Sequence, residues 1–73
     1  VKNVKTIYKN CEIEITRKKC LAGYHLTYYN IFTNNGFEIT SSFTEGEDTI
    51  EEVLKWCKNI VNDYIENPQE YGD

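Results

Sequence analysis

Apolar and polar residues alternate along the first half of the chain, then switch to a helical period. From Asp48 to Asn67, Ile50, Val53, Leu54, Cys57, Val61, Tyr64 and Ile65 recur at three- and four-residue steps. That spacing places them on one face of an α-helix. Trp56 and Ile60 widen the stripe, while Glu51, Glu52, Lys55, Lys58, Asn59, Asn62, Asp63 and Glu66 fill the other side. Asp48 with Glu51 forms a capping-box pattern, and Thr49 with Glu52 would serve equally well. Pro68 ends the helix, because the residue before a proline is pushed out of the helical region. The predicted helix spans 48–67. The tail, 68–73, is expected to be loose, with Tyr71 its candidate for folding back.

Upstream the period is two. Residues 1–5 read as a polar lead-in, and a first strand is expected over 6–17. There Cys11, Ile13 and Ile15 alternate with Glu12, Glu14 and Thr16. Arg17 to Gly23 reads as a loop. A second strand, 24–33, is rich in aromatic and β-branched residues. Asn34-Asn35-Gly36 is a strong turn signal, with Asn35-Gly36 suited to a type I′ hairpin. A third strand follows over 37–43. In that register Asn34 opposes Phe37, Phe32 opposes Ile39, Asn30 opposes Ser41 and Tyr28 opposes Phe43. The other face pairs Thr33 with Glu38, Ile31 with Thr40, and Tyr29 with Ser42.

These elements predict an α+β fold in one domain, 1–73. It is a two-layer β-β-β-α arrangement: a three-stranded antiparallel meander covered on one face by a single C-terminal amphipathic helix. The covered face is expected to hold Cys11, Ile13, Ile15, Leu26, Tyr28, Phe32, Phe37, Ile39 and Phe43. The bare face then carries Glu12, Glu14, Thr16, His25, Thr27, Tyr29, Ile31, Glu38, Thr40 and Ser42. Tyr29, Ile31 and His25 become a candidate docking patch, since tyrosine is favoured at protein interfaces.

Charge sharpens the picture. The net charge is −4, but residues 1–20 hold six basic residues against two acidic ones. The remaining 53 hold two basic residues against ten acidic ones, so a basic end meets an acidic body. Three cysteines without close spacing argue against a disulfide framework and for a reduced, cytoplasmic protein. No apolar run reaches the roughly 20 residues a membrane-spanning helix needs, and no membrane partner is expected.

The densest charge feature is Glu45, Glu47, Asp48, Glu51 and Glu52. It lacks the alternating oxygen ligands of a calcium loop, and acids in a first helical turn are favoured by the helix dipole. His25 stands without a triad pattern, and the cysteines lack zinc spacing. No catalytic residue, metal ligand or cofactor is assigned, and a chain this short is expected to have no deep pocket. Carboxylates on the bare face argue against direct nucleic-acid binding. The expected function is a small acidic non-catalytic protein-interaction module, using Tyr29, Ile31 and His25 or the acidic helix start. One alternative is an acidic nucleic-acid mimic that inhibits a DNA- or RNA-handling protein. Small phage anti-defence inhibitors are similar in size and charge, by composition and by no motif. The other is a structural homodimer closed through the open sheet.

Overall fold

Alternation along the chain resolves into four strands and one helix. The computed structural model describes residues 2–46 and 49–71. β1 (Lys2–Tyr8), β2 (Cys11–Lys19), β3 (His25–Thr33) and β4 (Glu38–Glu45) form one antiparallel sheet in the order β1-β2-β3-β4. α1 (Ile50–Glu66) packs on one face, and a short 3₁₀ turn, Pro68–Tyr71, follows it. The α+β class stands, but the meander has four strands and not three.

The extra strand comes from the expected lead-in. Residues 2–5 and the start of the expected first strand form β1, an edge strand hydrogen-bonded to β2. A two-residue turn at Lys9-Asn10 joins them, with both residues at positive φ, 50° and 67°. Those angles define the type I′ geometry that matches the twist of a hairpin. Beyond β2, the expected loop at Arg17 begins late, because Arg17, Lys18 and Lys19 pair with Thr27, Leu26 and His25.

The two remaining hairpins share one turn design. At Thr33–Phe37 the Gly36 amide donates to the Thr33 carbonyl and the Thr33 amide to the Phe37 carbonyl. At Cys20–Tyr24 the same two bonds join Gly23 to Cys20 and Cys20 to Tyr24. In each turn the glycine alone takes positive φ, 93° at Gly36 and 94° at Gly23. This is a type I turn closed by a left-handed glycine, and it replaces the expected type I′ turn at Asn35-Gly36. Phe32 therefore faces Glu38, not Ile39. A bulge at Ile39 then restores the expected register, so Ile31–Thr40, Asn30–Ser41, Tyr29–Ser42 and Tyr28–Phe43 pair as the sequence suggests.

The faces of β3, and of β4 beyond the Ile39 bulge, are reversed relative to expectation, while Phe37 and Ile39 stay on the helix side as expected. β2 pairs Ile13 with Ile31 and Ile15 with Tyr29, which puts the odd-numbered residues of both strands on one side. Side chains alternate strictly, so the Gly23 turn alone decides which set of β3 goes inward. Ile31 is 0% exposed, and Thr27 is buried too. The core is Cys11, Ile13, Ile15, Ile31 and Ile39 against Val53, Cys57 and Val61 of α1. Ile13, Ile15 and Ile31 form a flat β-branched row that the helix sits on. Leu26, Tyr28, Phe32 and Phe43, expected beneath the helix, pair across the opposite face.

The helix follows its sequence signals closely. Thr49 is the N-cap, its hydroxyl accepting from the Glu52 amide while Glu52 accepts from the Thr49 amide. Of the two capping boxes weighed, Thr49 with Glu52 forms, and Asp48 lies outside the described residues. The helix stops before Pro68. Tyr71 folds back, donating to Asp63 Oδ2 and meeting the Tyr64 ring edge-on at 5.6 Å. Phe37 stacks on Tyr64 at 6.1 Å. Tyr8 and Lys9 both donate to Asn62 Oδ1, tying the first hairpin to the helix. Trp56, placed on the apolar stripe by its spacing, is 42% exposed, and Ile65 is exposed as well.

Candidate functional site on the open sheet face

One helix covers one face of the sheet and leaves the other to solvent. The register sets its rows. Ile7, Glu12, Phe32 and Glu38 form the first, and Lys5, Glu14, Asn30 and Ser41 the second. Asn3, Thr16, Tyr28 and Phe43 form the third, followed by Lys18, Leu26 and Glu45. Along β1 and β2 this face is polar. Lys5 stands opposite Glu14, and Asn3 donates to Thr16 at 2.8 Å and to Glu14 at 3.2 Å. Such pairs suit a wet antiparallel surface.

Along β3 and β4 it carries Leu26, Tyr28, Phe32 and Phe43 interspersed with Asn30, Glu38, Ser41 and Glu45. The Tyr28 and Phe43 rings lie 5.7 Å apart at 44°, with Phe43 51% exposed. Leu26 and Phe32 flank Tyr28 on its own strand. The Lys18 ammonium stands 5.0 Å from the Tyr28 centroid, within cation–π range. Asn30 and Ser41, awkward as a buried pair, sit on this face and hydrogen-bond each other. Carboxylates at Glu12, Glu38 and Glu45 rim the patch. The arrangement can bury aromatic area against a partner and exclude water around it, the anatomy of an interaction surface.

The sequence-predicted site residues scatter. Ile31 and Tyr29 belong to the helix side, Ile31 within the core and Tyr29 packed against it, so neither lies on the open face. His25 is on the helix side as well, at the β2–β3 turn. Glu45 ends β4 opposite Leu26. Glu51 and Glu52 occupy the first turn of α1, with Glu52 bonded to Thr49. Glu47 and Asp48 lie outside the described residues. The apolar residues of the open face that the sequence pattern placed beneath the helix are Leu26, Tyr28, Phe32 and Phe43. A signal for them existed: Cys20-Leu21-Ala22-Gly23-Tyr24 and Thr33-Asn34-Asn35-Gly36-Phe37 share the same glycine position.

A cleft of about 480 Å³ also opens at the β2–β3 turn, lined by Lys2, Arg17, Lys18, Lys19 and His25. Among the described residues no group of three or more His, Cys, Asp or Glu side chains comes together. Nor, among them, is any helix long and apolar enough to cross a membrane. The three cysteines are free, and burial pushes the Cys57 thiol up to about 11. No family model, no curated protein and no solved structure matches this chain.

Proposed function

We propose that this chain is a non-catalytic protein-interaction module that binds its partner through the open face of β3 and β4. The observation that carries the reading is the uncovered aromatic pair Tyr28 and Phe43 between Leu26 and Phe32. Large exposed apolar patches with a polar rim mark interaction surfaces. Aromatic side chains at the centre of such patches supply most binding energy. β4 adds a free edge beside the patch, able to extend the contact by strand pairing.

The test is affinity capture from source cells with the wild-type chain and with Tyr28→Ser/Phe43→Ser. A partner held through the patch survives high salt and disappears with the double variant. A partner lost at high salt, and with Glu45→Gln/Glu51→Gln but not with Tyr28→Ser/Phe43→Ser, counts against the patch and for the acidic-mimic alternative. Recovery of the chain alone, with a dimer in sedimentation, replaces an external partner by a second copy.

A further inference from the structure

We propose that the cleft at the β2–β3 turn binds a phosphomonoester group. Lys2, Arg17, Lys19 and His25 of this site stand on the helix side of the sheet and Lys18 on the open face beside Tyr28, and the site does not depend on the interaction reading above. Among the described residues its lining is Lys2, Arg17, Lys18, Lys19 and His25, none of them acidic. The sheet register assembles it: Lys2 stands directly opposite Arg17, and Lys19 directly opposite His25. Lys2 and Arg17, like charges facing each other across an antiparallel pair, repel. An anion seated between them converts that repulsion into attraction.

The hydrogen-bonding state points the same way. Arg17 Nε and His25 Nδ1 are buried and have no partner among the described residues. An arginine Nε is only a donor, so it requires an acceptor that none of the described residues supplies. The row behind it is polar as well. Arg17 pairs with buried Thr27, and Thr27 with Thr44, whose hydroxyl is also buried and unpartnered. Lys2 of β1, Arg17 and Lys19 of β2 and His25 of β3 thus line one cleft, and the guanidinium fork matches the oxygens of a phosphate.

Size and charge narrow the ligand. A volume of about 480 Å³ exceeds what a bare phosphate fills and falls within the range of small-molecule sites. The chain carries −4 overall, and Glu12, Glu14 and Glu38 line the other face, which disfavours a long polyanion. A compact phosphorylated group, on a soluble molecule or a lipid headgroup, fits both constraints.

The experiment is an amide ¹⁵N–¹H titration of the intact chain with inorganic phosphate and with phenyl phosphate, at constant ionic strength. The expected result is saturable shifts at Arg17, Lys19 and His25, with phenyl phosphate the tighter ligand. Arg17→Gln and Lys19→Gln, tested separately, each weaken binding on the order of tenfold, as loss of a charge-assisted bond does. Lys58→Gln, a cation beside Tyr8 on the helix, changes nothing. Co-sedimentation with phosphatidylcholine vesicles, with and without phosphatidic acid, identifies the source. Arg17-dependent pelleting assigns the group to a headgroup, and saturable binding without pelleting assigns it to a soluble ester. Linear, non-saturating shifts, or equal losses in the Lys58 and cleft variants, overturn the proposal.

Discussion

Replacing Ile31 by valine removes one methylene from a side chain that is 0% exposed and packed beneath α1. Transfer of that group to water costs about 0.8 kcal/mol, and the cavity left behind brings the usual total to about 0.5–1.5 kcal/mol. The same substitution at Ile7 acts on a side chain 67% exposed on the open face. Only a third of the methylene's transfer energy is then at stake, about 0.3 kcal/mol. A chain of this length has a total stability of roughly 4–11 kcal/mol, so both variants stay folded. With a urea slope of about 1 kcal/mol/M, Ile31→Val lowers the midpoint by about 1 M and Ile7→Val by about 0.3 M. Urea denaturation followed by Trp56 fluorescence or circular dichroism reads both. Equal midpoints for the two variants would refute the inward placement of Ile31. The reversed assignment of β3 and β4 would fall with it.

Three further outcomes follow from the local structure. Thr49→Ala deletes the capping box and should cost about 1 kcal/mol, read as a lower urea midpoint at unchanged slope. Gly36→Ala meets no atom within 4 Å, so its cost is that of an L-residue at φ 93°, about 1–2 kcal/mol; a neutral result would mean the turn is not left-handed at Gly36. Burial raises the Cys57 thiol from 9.0 to about 11, which favours the neutral form in the folded state. Its contribution is fully present below pH 9.0 and is lost as pH rises toward about 11. Urea midpoints should therefore fall across that window, and less steeply in Cys57→Ala. An identical slope in the variant would remove Cys57 as a cause.

Much of the fold is legible in the chain, and the exceptions share a cause. Helical spacing, the Thr49–Glu52 box and Pro68 all act within a few residues, so α1 reads directly from sequence. The central pairs of the β3–β4 hairpin read equally well, because the Ile39 bulge cancels the shift made by the Gly36 turn. What fails is non-local. β1 is an edge strand whose outer positions are Lys2, Asn3 and Lys5, residues that blunt an edge while hiding its strand signal. The inward side of β3 hangs on the turn at Cys20–Tyr24, because shifting a strand by one residue inverts every side chain. The aromatic weight of Leu26, Tyr28 and Phe32 resembles a core. The register nevertheless packs Ile31 and Tyr29 there, and that choice decides which residues the open face carries.

For the same reason the basic run Arg17-Lys18-Lys19 looks like a solvated loop in sequence. As strand it alternates, sending Arg17 and Lys19 to the helix side beside His25 and Lys18 to the open face beside Tyr28. His25 was visible as the only histidine, but its neighbours were not. Lys2 comes from β1, whose presence the sequence pattern concealed, and Arg17, Lys18 and Lys19 come from the part of β2 that reads as a loop.

Photocrosslinking tests the central claim most directly. A photoreactive amino acid is installed in place of Phe43 and, in a separate sample, in place of Trp56 on the exposed side of the helix. The two chains are irradiated in source-cell extract. Phe43 and Trp56 are similarly exposed, so accessibility does not separate them. The account predicts a discrete adduct from the Phe43 position, abolished by Tyr28→Ser, and none from the Trp56 position. An adduct formed only at Trp56 would place the binding surface on the helix and contradict the account.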